Sequence, residues 1–143
     1  MRIVLDTDVL VSALLNVHGT PAQVLDLVRQ GLVALCVDGR IVGEYEEVLS
    51  RPDFPFDPED VARLMKFLRD SSEFVAARPL TIRMPDPDDE AFVEVAAQGR
   101  VDALVTGNMR HFPEDRCAGV PVMTPDNLVA LIRRKGSESS SES

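Results

Sequence analysis

Four polar residues, Asp6, Glu44, Asp89 and Asn108, occur where a predicted strand ends or near the start of a predicted helix. Three of them are carboxylates, and carboxylates gathered at one point without a basic partner repel one another. A divalent cation relieves that repulsion, and it lowers the pKa of bound water so that the water can attack a substrate. Hard oxygen ligands suit Mg²⁺ or Mn²⁺, and the chain lacks the Cys/His spacing of a zinc site. These residue types therefore predict a metal site capable of hydrolysis.

Apolar runs and helical periodicity indicate which elements position these residues. Strands are predicted at 2–5, 32–37, 102–106 and 120–123, and helices at 9–15, 20–31, 40–50, 57–70, 85–99 and 124–134. The stretch 71–84 is expected to hold one short edge strand, and Asp88 is the expected N-cap of the helix that carries Asp89. The alternation predicts an α/β domain of three layers, with a central parallel sheet of four to five strands flanked by helices. The four polar residues then fall on one edge of the sheet.

The chain of 143 residues fits one domain, predicted at 1–135, followed by a disordered Ser/Glu-rich tail at 136–143. Two cysteines, Cys36 and Cys117, are expected to be free thiols. No apolar run approaches the roughly 20 residues that span a bilayer, and the N-terminus does not read as a secretory signal. A cytoplasmic protein without membrane contact is expected.

The net charge of −9 argues against a general affinity for nucleic acid, which normally shows as a basic surface. Carboxylates that bind a metal count as negative in this sum, yet they attract a cation. A nuclease would still need a local basic rim, and the candidates are Arg51, Arg110, His111, Arg116, Arg133, Arg134 and Lys135.

The chain resembles the PIN domain family, in particular its branch of toxin components of toxin–antitoxin systems (VapC-like ribonucleases). Four segments in order carry the resemblance, at residues 4–13, 44–52, 86–96 and 105–113. They begin with Leu5-Asp6-Thr7 and end with the Thr-Gly-Asn-Met-Arg-His-Phe-Pro run at 106–113. The resemblance extends over residues 2–131.

The resemblance implies an endoribonuclease that hydrolyses RNA with Mg²⁺ or Mn²⁺, inhibited by a small antitoxin protein and assembled as a homodimer. Asp6, Glu44 and Asp89 match the three metal-binding acids of the family. Asn108 stands where many members carry a fourth acid, so the implied catalytic set is these four residues. A further departure is Asp8, where Asn is common.

Five more residues are candidates for orienting water or contacting phosphate: Thr7, Asp8, Ser12, Thr106 and His111. Each candidate also has a purely local interpretation. Asp6 could cap a helix, and Glu44 could be a solvated helix residue. Asp89 could be a first-turn acid that the helix dipole stabilises, and Asn108 could occupy a turn. The hydroxyl groups could be local caps, and His111 could be a surface residue.

Two other functions stay open. The Asp6-Thr7-Asp8 run after a strand resembles a phosphatase of the haloacid dehalogenase type. However, that family places a lysine and an acidic pair after the threonine motif, whereas here residues 86–89 precede Thr106. The other is a catalytically weak or inactive PIN-like module that binds RNA or a protein. The complete set of acids favours catalysis over pure binding.

Overall fold

The computed structural model describes residues 1–81 and 83–141, with side chains described as far as residue 136. Within these ranges the strands are β1 (Arg2–Leu5), β2 (Ala34–Val37), β3 (Glu73–Phe74), β4 (Ala103–Val105) and β5 (Val122–Met123). The α-helices are α1 (Thr7–Leu15), α2 (Thr20–Arg29), α3 (Gly39–Leu49), α4 (Pro58–Ser71), α5 (Glu90–Gln98) and α6 (Pro125–Ser141). Short 3-10 helices lie at Pro87–Asp89, Met109–His111 and Glu114–Arg116.

The five strands form one parallel sheet in the order β3-β2-β1-β4-β5. The chain adds β2 and β3 on one side of β1 and then returns to add β4 and β5 on the other side. Because crossovers between parallel strands are right-handed, this reversal places α5 on the face opposite the helices that connect β1, β2 and β3. The predicted α/β domain with a parallel sheet of four to five strands is confirmed.

Beyond Arg2 at the start of β1, the central strands are apolar because both faces of the sheet are covered. In β1, Ile3, Val4 and Leu5 are at most 1% exposed, and β4 is equally buried. Helix α5 packs across β1, β2 and β4, with Phe92 and Val95 fully buried. The core therefore lies directly beneath the sheet edge at which β1 and β4 end.

Helix α3 begins where Asp38 caps it, since the Asp38 carboxylate accepts a hydrogen bond from the backbone N–H of Ile41 at 3.0 Å. It ends at Leu49, shortly before Pro52, whose ring disfavours helical geometry in the preceding residue. Glu44 was expected near the helix start, but it is the sixth of eleven residues and so lies in the middle of α3. The Asp38 cap starts the helix only one residue before the predicted start at Arg40, and that predicted start already placed Glu44 fifth, beyond the first turn.

The segment between α4 and α5 contains β3, which confirms the expected short edge strand. It then enters the 3-10 helix at Pro87–Asp89. Here Asp86, not Asp88, is the cap, because the Asp86 carboxylate accepts from the N–H of Asp88 at 2.9 Å. Pro87 takes the first helical position, for which its fixed φ is suited, so the cap lies two residues earlier than the sequence predicted.

Helix α6 continues past the predicted domain boundary at Lys135 and ends at Ser141. Residues 136–141, predicted as part of a disordered tail, are therefore helical in the structure, and residues 142–143 lie outside the described part of the chain. Across the described ranges, no helix has both the length and the apolar composition needed to cross a membrane.

Tyr45 ties α3 to the end of β1. Its side chain is fully buried, its hydroxyl donates to the backbone oxygen of Leu5, and its ring lies 6.4 Å from that of Phe92. Leu5 directly precedes Asp6, so this bond helps to fix the backbone from which Asp6 projects.

Tyr45→Phe removes this hydroxyl and leaves the Leu5 carbonyl without the donor. We expect a loss of about 1–3 kcal/mol in the free energy of unfolding, because a buried acceptor then lacks its partner. Urea unfolding followed by circular dichroism measures it. Ser71→Ala is the control, since it removes a hydroxyl that also donates to a backbone oxygen but lies at an exposed position. Equal losses in the two variants would contradict the role given to Tyr45.

Candidate active site

The ends of β1 and β4 lie side by side at the point where the strand order reverses, which is where open α/β sheets bind ligands. Asp6 follows β1, and its N–H donates to the Val105 oxygen at 2.9 Å. Thr106 follows β4, and its hydroxyl donates to Asp6 Oδ2 at 2.8 Å. Thr106 is fully buried and Asp6 is 7% exposed. Strand pairing and one side-chain hydrogen bond thus fix the position of the Asp6 carboxylate.

Glu44 reaches the same region from α3. Its Oε2 accepts a hydrogen bond from the hydroxyl of Thr7, the first residue of α1. Burial raises the pKa of Glu44, the Thr7 hydrogen bond opposes this, and the charges of Asp88 and Asp86 add to the rise. Thr7 therefore holds one oxygen of Glu44 close to the end of β1.

Asp89 is buried, and among the described residues its Oδ2 has no hydrogen-bond partner. His111 Nδ1 lies 3.9 Å from this oxygen, which is too far for a hydrogen bond. Buried polar atoms without a partner are rare in folded proteins, and they often mark the place of a water or an ion. Asp89 Oδ2 thus lacks a protein donor among the described residues, and a water or an ion would satisfy it.

The loop after β4 is fixed by Asp8. The Gly107 N–H donates to Asp8 Oδ1 at 3.3 Å, and a Cβ at Gly107 would lie only 3.0 Å from Asp8 Oδ2. Glycine therefore permits the close approach. The next residue, Asn108, is exposed and caps a 3-10 helix by accepting from the Arg110 N–H at 3.2 Å. The structure thus shows the Asn108 side-chain oxygen engaged in a turn.

These side chains line one open cleft of about 440 Å³. Every residue that the sequence nominated for the metal site, for orienting water or for contacting phosphate lines it, except Thr106, which lies buried behind Asp6. The nominated residues in the cleft are Asp6, Thr7, Asp8, Ser12, Glu44, Asp89, Asn108 and His111. The fold therefore brings residues from four separate segments of the chain to one surface.

The electrostatics of the cleft disfavour ionised carboxylates. Burial raises the pKa of Asp6 to about 7, and the nearby charges of Asp8 and Asp89 add to the rise. Burial and the charge of Asp86 raise the pKa of Asp89 to about 6, against the opposing effect of His111. The common physical cause is negative charge held away from water without a compensating cation.

The donor set suits a hard divalent cation, because every candidate ligand is an oxygen and Asp89 Oδ2 is unpartnered in the described structure. The described part of the chain nevertheless contains no group of three His, Cys, Asp or Glu side chains arranged to hold one ion. Mg²⁺ requires fewer, since it is commonly bound by one or two carboxylates while waters and substrate phosphates complete its shell. The residues thus fit Mg²⁺ or Mn²⁺ chemically, and the ligand set Asp6, Glu44 and Asp89 stays a prediction.

The cleft also contains residues that were not nominated as site residues. Arg51, from the predicted basic rim, lines it beside the site candidate His111, and the other basic candidates do not. The hydrophobic residues Val11, Val48 and Phe54 line it as well. Helical spacing could have indicated the two valines, since Val48 lies one turn beyond Glu44 on α3. Phe54 lies in a loop, where periodicity gives no signal.

The raised pKa values predict how stability depends on pH without divalent cations. Asp6 and Asp89 ionise near pH 3.8 when unfolded, but only at about 7 and about 6 when folded. The folded state therefore binds more protons between these values, and stability falls as pH rises from about 4 to about 7. Asp6→Asn removes the destabilisation that comes from ionising Asp6 in the folded state. The variant should therefore be more stable than wild type at about pH 8, by up to about 4 kcal/mol.

Urea unfolding in EDTA across this pH range measures the difference, which should shrink toward about pH 4. The exposed Asp53 provides the control, because Asp53→Asn alters a carboxylate outside the cleft. If Asp6→Asn were no more stable than wild type at about pH 8, the repulsion inferred for the cleft would be wrong.

Among solved structures, the fold matches a chain in the crystal structure of VapBC2 from Rickettsia felis bound to a DNA fragment from their promoter. The TM-score is 0.57 at 16% sequence identity, and the match covers 87% of this chain and 98% of that chain. No curated protein matches this chain. The sequence model of the PIN domain family matches residues 2–110, which include all of the candidate site residues except His111. This chain therefore belongs to the PIN domain family.

Proposed function

We propose that this protein is a metal-dependent endoribonuclease that hydrolyses RNA phosphodiester bonds in the cleft. One observation carries the proposal. Asp6 and Asp89 are buried carboxylates from distant parts of the chain that line one open cleft, and Asp89 Oδ2 has no hydrogen-bond partner in the described structure. Such an arrangement is unfavourable on its own and becomes favourable when a cation binds.

Each residue of the cleft has a proposed task. Mg²⁺ or Mn²⁺ bound by Asp6, Glu44 and Asp89 would activate water and neutralise charge on the phosphate. Thr106 and Thr7 hold Asp6 and Glu44 in place through their hydroxyl groups. The remaining nominated residues are proposed to position the loop or contact the substrate, namely Asp8, Ser12, Asn108 and His111.

We also propose that the protein is the toxin of a toxin–antitoxin pair in the cytoplasm, forming a homodimer and inhibited by a small antitoxin. The motif resemblance to that branch of the family supports this role, and so does membership of the PIN domain family. The phosphatase alternative is not retained, because the chain belongs to a different family. The non-catalytic binding module is an outcome of the following test.

Purified protein is expected to cleave RNA in Mg²⁺ or Mn²⁺ and to lose cleavage in EDTA. Asp6→Asn and Asp89→Asn should each lower kcat/KM by at least about 100-fold, because each removes a charged oxygen at the reacting phosphate. Asp53→Asn should match wild type. Gel analysis of end-labelled RNA measures the rates.

Cleavage that persists in EDTA, or that Asp6→Asn leaves unchanged, would overturn the metal-dependent site. A protein that binds Mn²⁺ through Asp6 but cuts none of a panel of RNAs would support the binding module instead.

Thr7 is a positioning residue in this scheme, because it acts through Glu44. Thr7→Val removes the hydroxyl at nearly constant volume and should lower kcat/KM by about 10-fold, as is typical when the partner of a metal ligand is lost. Thr7→Ser retains the hydroxyl and should restore most of the activity. An apparent Mn²⁺ affinity weakened in Thr7→Val and recovered in Thr7→Ser would separate positioning from general destabilisation. Equal defects in both variants would contradict it.

A further inference from the structure

Part of the cleft lining is hydrophobic, which the binding of a metal ion does not explain. Val11 from α1, Val48 from α3 and Phe54 from the loop after α3 line the same cleft as the carboxylates. A nucleotide has both kinds of surface, since its phosphate is charged and its base has an apolar face. The combination of acidic and aromatic lining thus matches one nucleotide unit better than it matches a phosphate alone.

Packing of the core does not account for Phe54. The neighbouring Phe56 is packed against the hydrophobic core, whereas Phe54, although half-buried, is absent from the described side chains that form or cover that core. The two rings stack, with centroids 5.3 Å apart and planes inclined by 17°. Phe56 therefore supports the ring of Phe54, and Phe54 lines the cleft.

A cation lies in the same turn as this ring. The N–H of Phe54 donates to the Arg51 oxygen at 3.2 Å, which closes the turn that follows α3. Arg51 also lines the cleft, and its Nη2 lies 2.9 Å from Glu47 Oε2 on the preceding helical turn. Arg51 and Phe54 thus line the cleft from the two ends of one turn, and the Arg51 guanidinium is held beside it by Glu47.

We propose that Phe54 is a nucleobase-stacking residue that selects single-stranded RNA, with Arg51 contacting the phosphate of the same strand. This inference rests on the proposed ribonuclease function. Base stacking on aromatic side chains requires an unpaired base, and it is tolerant of sequence because every base has a π-face. The ring shares its cleft with Asp6 and Asp89, so the stacked base belongs to a nucleotide beside the scissile bond.

The test compares wild type with Phe54→Leu, Phe54→Trp and the control Phe74→Leu on a short single-stranded RNA in Mg²⁺. Phe74 is an exposed phenylalanine on β3, outside the cleft, so its variant controls for the substitution itself. Phe54→Leu should raise KM by about 10-fold and leave kcat within about 2-fold, because stacking acts on binding and not on the reacting atoms. Phe54→Trp should retain the wild-type KM.

An abasic nucleotide moved along the RNA locates the contact. Wild type should lose affinity when one particular base next to the cleaved bond is absent, and Phe54→Leu should be insensitive to that loss. If Phe54→Leu has the wild-type KM, or if Phe54→Trp is as impaired as Phe54→Leu, the stacking role is overturned. Unchanged RNA affinity in Phe54→Leu would instead point to a protein contact at this ring.

Binding of a labelled oligonucleotide, measured by fluorescence anisotropy, separates this inference from the proposed function. If wild type binds but does not cut RNA, the ribonuclease proposal fails. Weaker binding in Phe54→Leu, recovered in Phe54→Trp, would then still support stacking. Equal affinities in all four proteins would overturn it.

Discussion

The buried carboxylate of Asp6 is the group on which the arrangement of the cleft depends. Parallel pairing of β1 with β4 places it beside Thr106, and the resulting hydrogen bond leaves it little freedom to turn toward water. Asp8 and Asp89 add negative charge around it. The strands that form the core of the domain thus also hold charges that repel one another. A bound cation would relieve this electrostatic repulsion, and the relief would add to the free energy of cation binding.

The charge distribution also limits how the protein can attract RNA. With a net charge of −9, and with Arg51 and His111 as the basic residues that line the cleft, long-range attraction of a polyanion is weak. In the proposed function, recognition of RNA would therefore depend on contacts at short range, namely a cation between carboxylates and phosphate, and an aromatic ring against a base. Such contacts favour a selective nuclease with a shallow dependence on salt rather than one that cuts every RNA it meets.

The sequence predicted the positions of the site residues best where a single strand or helix fixes them. Asp6 and Thr106 each follow an apolar run, so parallel strand geometry alone places them at one edge. The expectation that Glu44 lies near the start of α3 was wrong, because even the predicted start at Arg40 places it beyond the first turn and the helix in fact begins at Gly39. The turn that Asn108 caps was one of two interpretations of that residue, because its hydrogen bond to the Arg110 N–H depends on the local loop conformation. Phe54 could not be identified, because its direction depends on tertiary stacking with another loop residue.

Calorimetric titration of the metal-free protein with Mn²⁺, in buffers of different ionisation enthalpy, tests the central claim most directly. If Asp6 and Asp89 share the cation, binding at about pH 6.5 must displace protons held by carboxyls whose pKa values are about 7 and about 6. The account predicts release of about one proton at this pH and almost none at about pH 8.5. Absence of Mn²⁺ binding, or binding without proton release at the lower pH, would contradict it.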